Sequence, residues 1–96
     1  MIRIVKLTLQ ENRVDEFISN FNKNKQAIRN FDGVKHLELL NDKNNPNIYF
    51  TYSKWESEQH LENYRNSDLF KGIWKVTKPM FSSKAEAWSV DCLEKL

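Results

Sequence analysis

Cysteine, histidine, glycine and proline are all scarce in this sequence. The single cysteine, Cys92, excludes an internal disulfide and any site built from several thiolates. The two histidines have no helical partner spacing, so the sequence predicts no zinc site. Two glycines and two prolines leave no Gly-rich phosphate loop. No apolar run approaches the roughly 18 to 20 residues that a membrane span requires. We therefore expect no bound metal or cofactor and no membrane segment.

Length and charge narrow the class of protein further. Ninety-six residues are enough for one small domain, expected to span residues 1–96. Fifteen Lys and Arg residues oppose thirteen Asp and Glu residues, and a net charge of +2 is too small to predict nucleic-acid binding. The first six residues alternate and lack the apolar block of a signal peptide. Together with the single cysteine, this pattern predicts a cytoplasmic location.

Hydrophobic periodicity predicts the element order β-α-β-β-α-β. Strands are expected over residues 1–9, 34–40, 48–55 and 85–92. The first helix carries apolar residues at three- and four-residue steps, with Asn12 as its predicted cap and Gly33 at its end. The second helical region begins after Ser57, breaks near Ser67 and stops before Pro79. This order is typical of a ferredoxin-like α+β fold, a four-stranded antiparallel sheet with helices on one face.

Both faces of the predicted sheet are apolar. In the third strand, one side carries Ile48, Phe50 and Tyr52, and the other carries Tyr49, Thr51, Ser53 and Trp55. Helices on one face cannot cover both sides, and an exposed apolar patch of this size is typical of an interface. We therefore expect a homodimer that packs sheet face to sheet face. The alternative is a monomer with half-buried aromatic side chains.

Two segments of the chain form a motif: Tyr52 to Tyr64, with Trp55-Glu56-Ser57 at the end of a strand, and the later Ser67-Asp68-Leu69-Phe70. Together they resemble the signature of the antibiotic biosynthesis monooxygenase family. Phe31-Asp32-Gly33-Val34 is similar to the family's entry into its second strand. The resemblance implies a dimeric α+β barrel with a ligand held between the helices and the sheet of each subunit. Members include cofactor-independent monooxygenases of aromatic phenols, quinol monooxygenases, haem-degrading enzymes and enzymes that process a signalling molecule.

Two branches of the family have residue sets that this chain does not reproduce. The haem-degrading branch uses an Asn, a Trp and an iron-binding His where this chain has Val5, Tyr64 and Trp74. An indole has no lone pair available for ferric iron, so the resemblance does not predict haem degradation. The phenol-oxidising branch uses a strand Asn where this chain has Thr51, and of its motif only Trp55 carries over.

Two residues are candidates for proton transfer. His36, in the second strand, is the one plausible base at neutral pH inside the fold, and the alternative is an inert, hydrogen-bonded histidine at a strand or interface. Tyr64, on the apolar stripe of the broken helix, could donate a proton or a hydrogen bond to a substrate oxygen. Candidates for contact with an aromatic substrate are Tyr52, Trp55, Phe70 and Trp74, for which packing in the core is the alternative role.

The predicted function is a cofactor-independent monooxygenase that acts on a small aromatic phenol or quinol. An electron-rich phenolate or hydroquinone dianion can itself give an electron to dioxygen, so the protein supplies a dry pocket, deprotonation and orientation. The alternative is a non-catalytic dimeric ligand-binding or stress-related module that uses the same pocket. A third hypothesis is a scaffold whose interior is filled by its own aromatic side chains.

Overall fold

The predicted order of strands and helices is confirmed in a computed structural model that describes residues 1–96. Two short 3-10 turns, Glu11–Arg13 and Lys78–Met80, flank the first and the last helix. The strands and α-helices in chain order are β1 (Ile2–Thr8), α1 (Val14–Arg29), β2 (Val34–Asn41), β3 (Ile48–Trp55), α2 (Glu58–Arg65), α3 (Asp68–Thr77) and β4 (Glu86–Val90).

The four strands form one antiparallel sheet in the order β2-β3-β1-β4. The β-branched and aromatic strands β1 and β3 are therefore central, with Ile4 opposite Tyr52 on one side and Trp88 on the other. The helices cover the face that carries Val5, Thr51 and Ala87. This arrangement is the ferredoxin-like α+β fold expected from the sequence.

Serine caps fix the two short helices. The Ser57 hydroxyl accepts a hydrogen bond from the His60 backbone N–H, and the Ser67 hydroxyl accepts one from the Phe70 backbone N–H. The predicted Asn12 cap is wrong, because Asn12 lies inside the 3-10 turn and α1 begins at Val14 without a side-chain cap. Within the 3-10 turn, the Arg13 backbone N–H donates a hydrogen bond to the Gln10 carbonyl oxygen at 2.9 Å.

A β-bulge at the start of β2 decides which way His36 points. Val34 pairs with Trp55 and His36 pairs with Lys54, so Lys35 is the extra residue. The bulge shifts the alternation by one residue, and Val34 faces the helices while His36 faces the opposite side. The Arg29 guanidinium donates hydrogen bonds to the carbonyl oxygens of Val34 and Lys35 at 3.0 and 3.1 Å, which stabilises the bulge.

The turn between α1 and β2 depends on Gly33. Its φ of 92° lies in the region that side chains disfavour, and a Cβ at this position would overlap the side chain of His60. His60 is therefore partly buried rather than fully solvated. Its Nε2 lies 3.3 Å from a Glu56 carboxylate oxygen, and its Nδ1 lies 2.6 Å from the Ser57 hydroxyl. Because that hydroxyl is fixed as the helix cap, we assign this cluster a structural role.

The sheet face opposite the helices is uncovered and mostly apolar. Trp88 on β4 is 45% exposed, and Leu40 and Val90 at the two edges are exposed to a similar degree. Ile4 and Phe50 lie between them on the central strands. We call this surface the outer face. None of the helices is long and apolar enough to cross a membrane.

Candidate functional site

A cavity of about 340 Å³ lies between the helices and the sheet. The buried core is divided into two clusters, one around Leu9 and Met80 and the other around Val34 and Trp55. The cavity contacts members of both clusters, so it occupies the space between them. Its volume is within the range of small-molecule binding sites.

The wall of the cavity is mostly apolar, and its charged side chains are two arginines. The sheet supplies Arg3, Val5, Leu7, Val34, Leu37, Thr51, Ser53, Trp55 and Ala87, and Ala85, just before β4, also lines the wall. The helices supply Phe17, Asn20, Phe21, Asn24, Ile28, Leu61, Tyr64, Arg65, Phe70, Ile73, Trp74 and Thr77. With no acid, lysine or histidine in this set, the wall suits an apolar or aromatic ligand with a polar end.

Four aromatic side chains form a continuous row along the cavity. Ring centroids are 5.3 Å apart for Trp55 and Tyr64, 5.2 Å for Tyr64 and Phe70, and 5.8 Å for Phe70 and Trp74. These four were all candidates for substrate contact or catalysis, and the fold brings them together. Trp55 is buried and donates its indole N–H to the Ser53 hydroxyl at 2.9 Å, so it also serves as part of the core.

Tyr64 provides a hydroxyl group that is free to bind a ligand. Burial raises the pKa of Tyr64 to about 12, so the phenol stays neutral at physiological pH. The hydroxyl forms no hydrogen bond within the chain, and no polar side-chain atom is both fully buried and without a partner. The group is therefore suited to donate a hydrogen bond to a ligand oxygen rather than to act as a base.

Three other polar side chains of the wall, all on helices, already form hydrogen bonds with their neighbours. The Thr77 hydroxyl donates to the Ile73 carbonyl oxygen at 2.7 Å and accepts a hydrogen bond from the Asn20 amide. The Asn24 amide donates to Asn20. Sequence reasoning missed Asn20 and Asn24, because an asparagine on a helix usually indicates the solvated side. It also missed Arg3, although Arg3 alternates in phase with Val5 and Leu7 on β1.

His36 and Tyr52 do not reach the cavity. Both lie on the outer face, where their rings meet edge to face with centroids 6.1 Å apart. His36 Nε2 lies 3.4 Å from a Glu38 carboxylate oxygen. This placement corrects the hypothesis that His36 is the base and Tyr52 a ligand contact of the internal site, because the sheet separates both residues from the cavity.

A family model and a protein of known name each match about three quarters of this chain. The family model described as antibiotic biosynthesis monooxygenase matches residues 1–75. A heme oxygenase (staphylobilin-producing) of Staphylococcus epidermidis is 27% identical over 74 residues, which cover 75% of this chain and 70% of that protein.

Solved structures share the fold at low sequence identity. A conserved protein from Methanosarcina mazei Go1 has a TM-score of 0.84 and 23% identity, over 90% of this chain and 86% of that chain. A protein from Mycobacterium tuberculosis has a TM-score of 0.89 and 11% identity, over 98% and 95%.

Proposed function

This chain belongs to the antibiotic biosynthesis monooxygenase family, and we propose on that premise that its cavity binds a small aromatic phenol or hydroquinone and oxidises it with dioxygen. The observation that carries the proposal is the aromatic row of Trp55, Tyr64, Phe70 and Trp74 beside an apolar cavity. Planar rings pack favourably against such side chains at these spacings.

The proposed reaction needs no reductant other than its substrate. A hydroquinone and one dioxygen molecule give a hydroxyquinone and one water molecule. One oxygen atom forms a bond to a ring carbon, and the other takes two protons and becomes water. The substrate supplies all four electrons, two when the hydroquinone becomes a quinone and two when the ring gains the hydroxyl group.

The residues of the cavity contribute binding, orientation and electrostatics. An apolar wall excludes water from the reacting carbon, which limits side reactions of reduced oxygen species. The neutral Tyr64 hydroxyl donates a hydrogen bond to the substrate oxygen, and this bond is strongest when that oxygen is a phenolate. Tyr64 therefore favours the ionised, electron-rich form of the substrate without taking its proton.

The name of the curated relative raises haem as a substrate, but the donor set of this cavity does not fit it. Proteins hold haem iron with His, Cys, Met or Tyr side chains. Among these types, the wall offers only Tyr64. Burial raises the pKa of Tyr64 to about 12, which disfavours the phenolate that would have to bind ferric iron. Trp74 and Val5 line the same cavity and supply no ligand atom. We therefore do not propose haem degradation for this chain.

We also propose that the chain forms a homodimer through the outer face. Exposed apolar side chains at Leu40, Trp88 and Val90 flank the central Ile4 and Phe50, and a second copy of the same face would cover them. In this arrangement His36 and Tyr52 lie at the interface, where they contribute to association rather than to chemistry. The cytoplasmic location expected from the sequence stays a prediction.

A non-catalytic ligand-binding module remains the alternative, since binding needs the same cavity but no reaction. Oxygen uptake with 1,4-dihydroxynaphthalene separates the two functions. We expect the wild type to accelerate uptake over the uncatalysed rate and Tyr64→Phe to lose about tenfold of that acceleration. Tyr52→Phe, the same substitution on the outer face, is the matched control and should keep the full rate. Uptake at the uncatalysed rate with the wild type would favour the binding module.

A further inference from the structure

The two arginines of the cavity wall are unusual for so apolar a site. Arg3 begins the inward-facing row of β1 and is half-buried, and Arg65 ends α2 with a half-exposed side chain. A side chain that both lines a cavity and reaches solvent marks the place where the cavity opens. We call this place the mouth, defined by Arg3 and Arg65.

The arginines of the mouth have few partners within the chain. Arg3 donates to the Ser89 hydroxyl at 3.0 Å and forms no ion pair with any carboxylate. Four of its five N–H donors therefore lack an assigned acceptor in the chain. Arg65 lies 3.7 Å from a Glu62 carboxylate oxygen, a partly exposed contact three residues back along the helix. Glu62 is the acid that pairs with Arg65 and whose charge also acts on Arg3.

The pKa of Arg3 reflects its burial and these charges of the mouth. Burial lowers the pKa of Arg3, and the positive charge of Arg65 lowers it further, while Glu62 acts in the opposite direction. Arginine nevertheless keeps its charge at any accessible pH. The fold therefore holds two like charges near each other at a partly desolvated position, an arrangement that an added anion would stabilise.

We infer that Arg3 and Arg65 recognise a carboxylate on the aromatic ligand, an inference that rests on the proposed function of the cavity. The planar guanidinium matches a carboxylate with two parallel hydrogen bonds, which lysine cannot provide. The ligand then lies with its ring along the aromatic row and its carboxylate between the arginines at the mouth. The substrate class becomes an aromatic phenol or hydroquinone that bears a carboxylate.

Calorimetric titration without oxygen tests this inference with a matched pair of probes, 1-hydroxy-2-naphthoate and the neutral 1-hydroxy-2-naphthamide. We expect the wild type to bind the carboxylate about tenfold more tightly than the amide, as for a hydrogen bond to a charged group at a partly exposed site. Arg3→Gln and, separately, Arg65→Gln should reduce that preference to threefold or less, by weakening binding of the carboxylate more than binding of the amide. Lys71→Gln, which removes a charge from exposed α3 surface, should keep the full preference.

The outcomes separate this inference from the function on which it rests. Equal affinity of the wild type for both probes would overturn the carboxylate site and leave the aromatic cavity intact. A preference that survives both arginine substitutions would also overturn it. Binding of neither probe at millimolar concentration would overturn the proposed function and the inference together. Arg65→Gln, at an exposed position, keeps the test decisive if Arg3→Gln fails to fold.

Discussion

Trp88 is the residue whose removal should most directly reveal the homodimer. It lies on the edge strand β4, on the outer face, and its partner in the β1 register is Ile4. It is 45% exposed in the single chain, although a tryptophan side chain presents up to about 250 Å². A second sheet that covers the outer face would therefore bury roughly 110 Å² of this side chain in each protomer.

The Trp88→Ala variant should weaken association by about three orders of magnitude. Alanine retains part of the contact, so the lost burial is roughly 80 Å² in each protomer, or about 2 kcal/mol at 25 cal/mol per Å². A two-fold symmetric dimer loses this contact twice, which makes about 4 kcal/mol. At about 1.4 kcal/mol for each tenfold change, the dissociation constant rises roughly a thousandfold.

Sedimentation velocity over a dilution series, from nanomolar to micromolar protein, measures that constant. We expect the wild type to sediment at twice the 11.5 kDa chain mass in the micromolar range. Val76→Ala is the matched control, because Val76 is 49% exposed on α3 and away from the outer face. A wild type of single-chain mass at micromolar concentration would refute the reasoning, as would a Trp88→Ala variant with an unchanged constant.

Three further predictions concern the fold around the cavity. Gly33→Ala should lower the free energy of unfolding by about 2 kcal/mol or more in urea titrations, and a second substitution, His60→Ala, should restore part of it. Arg29→Gln should cost about 1 to 3 kcal/mol in the same assay, because it leaves the carbonyl oxygens of the bulge without donors. Tyr64 should ionise near pH 12 in an ultraviolet titration. Because its pKa is higher in the folded than in the unfolded chain, the free energy of unfolding should fall by about 2 kcal/mol as the pH rises from 10 to 12. The Tyr64→Phe variant should not show this loss.

The strands were predictable because their patterns are strong and local. Ile48–Trp55 has the predicted bounds, since a run of β-branched and aromatic residues between a polar turn and a capping serine leaves little choice. Its alternation also separates the two faces correctly, with Thr51 on one side and Tyr52 on the other, but the expected ligand contact of Tyr52 is wrong because the helices cover the side of Thr51. Two apolar faces on one sheet then predict both an internal cavity wall and an outer face that needs a partner.

The orientation of His36 was not predictable from alternation. With Val34 facing the helices, a regular strand would place His36 on the same side, inside the fold. The bulge at Lys35 turns the His36 side chain to the opposite face of the sheet. Hydrogen bonds from Arg29, a residue of α1, stabilise the bulge. Such a contact depends on tertiary structure, so no local pattern signals it. Arg3 was missed because a charged residue near the end of a strand usually has its side chain in solvent.

The central claim is that a ligand binds between the helices and the sheet. Its most direct test is an anaerobic titration with 1,4-dihydroxynaphthalene in which NMR follows the indole N–H signals of the three tryptophans. Trp55 and Trp74 line the cavity, and Trp88 lies on the outer face, so each surface carries its own probe. Single Trp→Phe substitutions assign the three signals. We predict that the Trp55 and Trp74 signals shift with saturable dependence on ligand while that of Trp88 does not. Saturable shifts of Trp88 alone, or of none of the three, would contradict a ligand site between the helices and the sheet.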